Sequence, residues 1–531
     1  MTARRFLLSW FALTAVAGSV AVAAAPASAQ PARRFDPASL LLSRTVYTAP
    51  PGSIVPGQTV LPAGCTSGCV TAVADGGYPE VFNNESVDPS FGVSSPILLD
   101  RLTLSGHTLA TLRLPSADGT RDHLVTSFPS KSELALTVST GGDAVSFMGY
   151  VAPADRIDVS NSNTPGVADP SNPVGVSYYR AVATLRDGEV GYTATNAYSG
   201  NNGRAAILNS RNGLLYTAGN AGNGASPEPV GVIAGAGAQI MRAARVPLRF
   251  QTAGTPTPLG GFSVTQVGAP ADKVGKDTNF RGLTVSDNVV YLTKGSGGNG
   301  INTVYFVDTT GRACPTGVGL PVPGAALPTQ PLGYDPATVQ STGLPNNMCI
   351  LQGFPTALKS KTSFPFAVWF ANSTTAYVAD EGNGTATYDP ATGTYSAAAA
   401  QMTAGLQKWV LTGGTWKPVY TLTRGLGLGT PYSVPGYPTG ANAATGLPWA
   451  PATDGLRTLT GRVNRDGTVT LWAITSTVSG ATDTGADPNR LVTVTDTLGA
   501  STPGNESFTT LRTAGSGEAL RGVALAPTSR R

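Results

Sequence analysis

The chain has 531 residues, only 12% of them charged, and its net charge is +4 with the histidines neutral. Glycine (65) and proline (41) at this density exclude coiled coils and helical bundles, and 41% hydrophobic content excludes a charged disordered chain. So weak a net charge, with no clustered basic face, excludes a nucleic-acid partner.

Residues 1–29 read as a secretory signal peptide. Arg4 and Arg5 form its positive start, an apolar stretch follows, and Ala27-Ser28-Ala29 is the small-residue cleavage site. A short lead (30–37), one all-β domain (38–527) and a tail (528–531) complete the expected organisation. No other segment has 18 consecutive apolar residues, so no membrane span is expected after cleavage. The protein is expected to be secreted and monomeric.

Along the domain, alternation of apolar and polar residues predicts strands. Ser39 to Tyr47 is a strand without a local partner. Ile97–Leu104 and Thr108–Leu114 flank a Gly-containing turn and predict a hairpin. A pattern of strand, polar turn, strand and Gly/Asn loop then recurs, often opened by arginine. Its occurrences begin at Leu134, Arg180, Arg204, Arg281, Phe366, Arg457 and Arg521, and the last stops without a second strand. Seven occurrences predict a single, seven-bladed β-propeller. Pairing of the N-terminal strand with the incomplete C-terminal blade would close the ring and remove sheet edges. Gln401 to Lys408 is the one window that predicts a helical turn or two.

Four cysteines allow three pairings. The spacing favours Cys65 with Cys69 and Cys314 with Cys349; zinc fits poorly because no histidine stands near them.

Several phrases carry a family resemblance. They include Leu40-Leu41-Leu42-Ser43-Arg44-Thr45-Val46-Tyr47, Pro96-Ile97-Leu98-Leu99-Asp100, Tyr377-Val378-Ala379-Asp380-Glu381-Gly382 and Leu520-Arg521-Gly522-Val523-Ala524-Leu525-Ala526-Pro527. Over most of its length the chain resembles exported bacterial β-propeller proteins, most of them without an assigned activity. That resemblance implies the fold and says little about chemistry.

Candidate chemistry is sparse. His107 and His123 are the only histidines, readable as a base or metal ligand or as solvated turn residues. No Gly-x-Ser-x-Gly elbow is present. Asp380, Glu381 and Asn383 on a Gly-rich loop offer hard oxygens, and calcium is the cofactor such a loop would hold; the plain reading is an exposed turn. Asp483, Asp487 and Asn489 form a looser second group. The recurrent Arg180, Arg204, Arg281, Arg457 and Arg521 either line the central channel and attract an anion or bond carbonyls of a neighbouring blade. The function expected is a secreted binding or scaffold protein for a glycan, peptide or protein. Its rival is a propeller hydrolase with a calcium site in the channel.

Overall fold

The computed structural model describes residues 39–47, 55, 57–61, 70–71, 92–116, 123–167, 172, 174–220, 237–244, 249–250, 259, 279–295, 300–332, 347–358, 360–443, 445–481 and 484–527. The signal segment, the tail, Asp483, and the pair Cys65 and Cys69 lie outside these residues.

The sheet-forming strands begin with β1 (Ser39–Val46), β2 (Ser94–Thr103), β3 (Thr108–Arg113) and β4 (Val125–Ser127). Next come β5 (Thr137–Val138), β6 (Val145–Tyr150), β7 (Arg180–Arg186) and β8 (Glu189–Thr195), then β9 (Gly203–Asn209), β10 (Leu214–Gly219) and β11 (Ala238–Arg242). They continue as β12 (Leu283–Ser286), β13 (Val289–Lys294), β14 (Thr303–Val307), β15 (Met348–Leu351), β16 (Pro365–Asn372) and β17 (Thr375–Asp380). One helical turn, α1 (Ser396–Ala399), precedes β18 (Gly405–Thr412) and β19 (Thr415–Leu422). The last are β20 (Ala452–Val463), β21 (Thr468–Val478), β22 (Arg490–Thr497), β23 (Thr509–Thr513) and β24 (Glu518–Leu525).

Four small sheets, in the orders β9-β10-β11, β12-β13-β14-β15 (extended by Val318–Gly319), β16-β17-β18-β19 and β20-β21-β22-β23, form a ring resembling a β-propeller. A ten-stranded sheet holds the remaining nine of these strands together with Arg249–Phe250. It contains two antiparallel runs, β24-β1-β2-β3 and β5-β6-β7-β8, joined by β4. In the first run β1 lies between β24 and β2, with Leu40 opposite Leu525 on one side and Leu102 on the other.

Two expectations need correction. The occurrences starting at Leu134 and Arg180 are not separate units, because β6 and β7 are hydrogen-bonded neighbours from Val145↔Leu185 to Tyr150↔Arg180. The window 401–408 is not helical. The helical turn precedes it at Ser396–Ala399, and Gly405 already opens β18, where its backbone pairs with Asp380.

The first strand of each run packs against the next first strand. β5 touches β9, β9 touches β12, β12 touches β16, β16 touches β20, β20 touches β24, and β24 touches β5. Glycine permits this approach at two matching places. A Cβ on Gly522 would stand 2.3 Å from the Leu134 carbonyl oxygen, and one on Gly282 would stand 2.5 Å from that of Phe366. Ser43 bridges the same contact, donating to the Leu134 carbonyl at 2.7 Å and accepting from the Gly522 amide at 2.8 Å. Between the sheets, alternate strand residues such as Ile207, Tyr216, Val290, Tyr305, Ile350 and Trp409 interlock in one apolar cluster. Each such side chain contributes about 1.5–3 kcal/mol by leaving water.

Cys314 and Cys349 are disulfide-bonded, their Cα atoms 5.9 Å apart, so the loop after β14 is tied to β15. Among the described residues no helix is long and apolar enough to cross a membrane.

Candidate functional site

The first strands of the runs enclose a cavity of about 460 Å3. Its lining takes Leu136 to Thr140 around β5, Ile207 from β9, Gly282 to Asn288 around β12, Phe366 to Phe370 from β16, Thr458 to Thr460 from β20 and Ala524 from β24. Exposure rises along β12: Leu283 is buried, Thr284 to Ser286 are half-buried, and Asp287 and Asn288 are exposed. The cavity therefore opens toward the ends of these strands. Its wall mixes apolar groups with hydroxyls. Thr458 and Thr137 spend theirs on carbonyls, of Arg521 and Ala206 respectively. Those of Thr284, Ser286 and Thr460 have no hydrogen-bond partner among the described residues. Half-buried Trp369 completes the wall. Gly461 makes room for it, since a Cβ there would lie 2.9 Å from the indole.

Ahead of their cavity-lining residues the same strands carry charge. Arg204 lies in β9, Arg281 just before β12, Arg457 in β20 and Arg521 in β24. Arg180 stands apart on β7, the third strand of its run. Arg180 is consumed structurally: it donates to carbonyls of Tyr178, Ser160, Ser162 and Asn201 at 2.5–2.9 Å and lies 5.2 Å from the Tyr150 ring centre. Burial pushes its pKa down to about 10, against the pull of Tyr150 and Glu133. Arg204 donates to the Phe280 carbonyl at 2.8 Å and to Asn202 and Asn279. Arg521 donates to the carbonyls of Phe128 and, at 2.9 Å, Gly485. These three bind backbone that belongs largely to adjoining segments.

Arg281 and Arg457 are gathered differently. Both act electrostatically on Glu381, which also pairs with Lys131, just ahead of β5. Lys131 Nζ lies 3.2 Å and Arg457 Nε 3.4 Å from the same oxygen, Glu381 Oε2. Arg281 donates to Ser132, beside Lys131. Burial would raise the Glu381 pKa, but Lys131, Arg457 and Arg281 hold it below the usual carboxylate range. Burial lowers the Lys131 pKa, aided by the two arginines and opposed by Glu381.

The candidate calcium donors do not converge. Asp380 turns to the amide of Phe364 (2.8 Å), Ser363 and Gln407, and burial lifts its pKa to about 7. Glu381 turns to the basic groups, and exposed Asn383 accepts from the Thr385 amide. Neighbours at a strand end point to opposite sides, which separates Asp380 from Glu381. Asp487 accepts from Tyr437 at 2.7 Å, while Asn489 bonds the backbone of Thr475 and Leu520. Among the described residues, Asp308, Cys314 and Cys349 are grouped closely enough to hold a metal, but the disulfide takes both sulfurs. His107 is exposed in the turn between β2 and β3, and His123 is half-buried ahead of β4.

Lys131 and Trp369 were not among the sequence candidates. Lys131 carried a usable signal, standing three residues before Leu134 as a basic residue before a recurring strand.

No protein-family model matches this sequence, and no curated protein matches it. Among solved structures, an ulvan lyase, described as a new family of polysaccharide lyase and bound to -[GlcA(1-4)Rha3S]-, aligns with 85% of this chain and 94% of its own. Identity is 12% and the TM-score 0.31. A second ulvan lyase structure gives 11% identity and a TM-score of 0.30 over the same shares. Drosophila semaphorin 1a, extracellular domains 1–2, covers 76% of this chain and 83% of its own, at 11% identity and a TM-score of 0.23. Scores this low say nothing about ligand or activity.

Proposed function

We propose that the chain is an exported, six-bladed β-propeller that binds a neutral, hydroxyl-rich ligand, a glycan, in its axial cavity. The carrying observation is the cavity wall: Trp369 beside the unpartnered hydroxyls of Thr284, Ser286 and Thr460. A sugar ring has an apolar face that suits an indole and hydroxyls that satisfy such groups. The volume, about 460 Å3, falls in the range of small-ligand sites. Six first strands touching in succession support the blade count, and β1 between β24 and β2 supports ring closure within one blade. The Cys314–Cys349 disulfide supports export.

Titration calorimetry with a panel of neutral oligosaccharides tests the binding reading. Trp369→Ala should weaken the bound sugar by about tenfold or more, the equivalent of one good contact. Full affinity in Trp369→Ala and Thr460→Val, or no binding by any neutral sugar, would overturn it.

A further inference from the structure

We infer that the charged end of the axial channel is a second binding site, for a hydroxy acid: a carboxylate that carries a neighbouring hydroxyl. Two separate observations meet there. The first is a convergence of cations. Lys131, Arg281 and Arg457 come from three different first-strand segments and meet at one carboxylate, Glu381, while Asp454 also acts on Lys131 and Asp487 on Arg457. Lys131 remains one-third exposed, its side-chain relative accessibility being 33%. The two terminal nitrogens of Arg457 donate no hydrogen bond among the described residues, its one bond running from Nε.

The second observation concerns Glu381 itself. Its side chain is 4% exposed, and both close cations sit on Oε2. Oε1 is buried with no hydrogen-bond partner among the described residues. A buried acceptor left bare costs free energy, so the arrangement calls for a donor at that position. Chloride or sulfate supplies none. A hydroxy acid supplies both groups: its carboxylate accepts from Lys131 Nζ and the Arg457 fork, and its hydroxyl donates to Glu381 Oε1.

The test uses calorimetry on the full chain at low salt with three probes: gluconate, acetate and glucose. Gluconate should bind at least tenfold tighter than acetate, and glucose should not compete for this site. Lys131→Met should weaken gluconate at least tenfold, and because Lys131 is partly exposed this variant should fold. Glu381→Gln removes the negative charge and, with its amide oxygen kept toward Lys131 and Arg457, puts an NH2 donor where the free acceptor stood. It should abolish the preference for gluconate while leaving acetate bound at least as well. Equal affinity for gluconate and acetate, or gluconate binding untouched by Lys131→Met, would sink the inference. Trp369→Ala should leave gluconate binding unchanged, and Lys131→Met should leave neutral sugars unchanged, so the two sites fail or stand separately.

Discussion

Asp100 and Arg512 are separated by 412 residues in sequence and by 2.6 Å in the fold. Asp100 also receives Arg44 Nε at 2.6 Å and the Thr111 hydroxyl at 2.6 Å. Glu518 completes the group, 2.7 Å from Arg512 and 3.2 Å from Arg44. Five strands, β1, β2, β3, β23 and β24, are thereby pinned at one point. Burial would raise the Asp100 pKa, but Arg44, Thr111 and Arg512 hold it below the ordinary value. Its stabilising contribution is present above the unfolded carboxylate pKa and is lost as pH falls through the lower folded value. Asp100→Asn should lower stability by about 3 kcal/mol, read as a shift in the urea midpoint at neutral pH. An unchanged midpoint would show the group to be energetically idle.

Lys408 and Asp496 form the most secluded ion pair, 3.1 Å apart with both side chains at 0% exposure. The other hydrogen-bonding positions of the pair are filled by Tyr377, Tyr420 and the carbonyls of Thr497 and Ala500. The pair thus bolts the sheet of β16 to β19 onto that of β20 to β23. Lys408→Met alone leaves a buried carboxylate and should cost roughly 3–5 kcal/mol. The double variant Lys408→Met/Asp496→Leu should recover part of that loss. A single variant as stable as the parent in thermal unfolding would contradict this account.

Three buried acids should make the protein more stable in mild acid than in mild base. Burial raises Asp487 to about 7, Asp454 to about 6 and Asp380 to about 7. The unfolded value is near 3.9, so the folded state binds these protons more tightly. The resulting stability is present in full below the unfolded pKa and is lost as pH rises through about 6 to 7. Melting temperature should fall from pH 5 to pH 8. Asp487→Asn should flatten that slope, since it removes one of the three titrating groups. A melting temperature that rises across this interval would refute the assignment.

The disulfide closes a sequence separation of 35 residues. In the chain-entropy account such a loop contributes about 4 kcal/mol by restricting the unfolded chain. The Cys314→Ser/Cys349→Ser variant should therefore unfold at markedly lower temperature, and reductant should bring the parent to the same point. Coincident curves with and without reductant would argue against any role in stability.

Much of the strand plan was legible, because period-two alternation and Gly-containing turns are local signals. The partner of the strand at Ser39–Val46 was legible too, from an unpaired strand at each end of the repeats. The unit count was not. The β5-β6 hairpin and the β7-β8 hairpin look alike in sequence, and only the non-local β6–β7 pairing shows that they share a sheet. Among the arginines, sequence gave no means of separating Arg180, buried against carbonyls on a third strand, from Arg457, which faces an acid at the axis. Glu381 was visible as an acid beside Asp380, but strand alternation sends the two side chains to different surroundings. The cavity wall was hidden for the same reason: Thr284, Trp369 and Thr460 meet only after three sheets are arranged around an axis.

The position of β1 has a consequence for the order of assembly. It is made first, yet its neighbour β24 is made nearly 500 residues later, Ser43 and Gly522 being 479 apart. During vectorial synthesis, β1 must wait with one edge unsatisfied until β24 arrives. Contacts of such separation form slowly, and an open edge invites pairing with another chain meanwhile. Pairing of β1 with β24 is therefore a late and exposed step in forming this sheet, and crowding of nascent chains should endanger it.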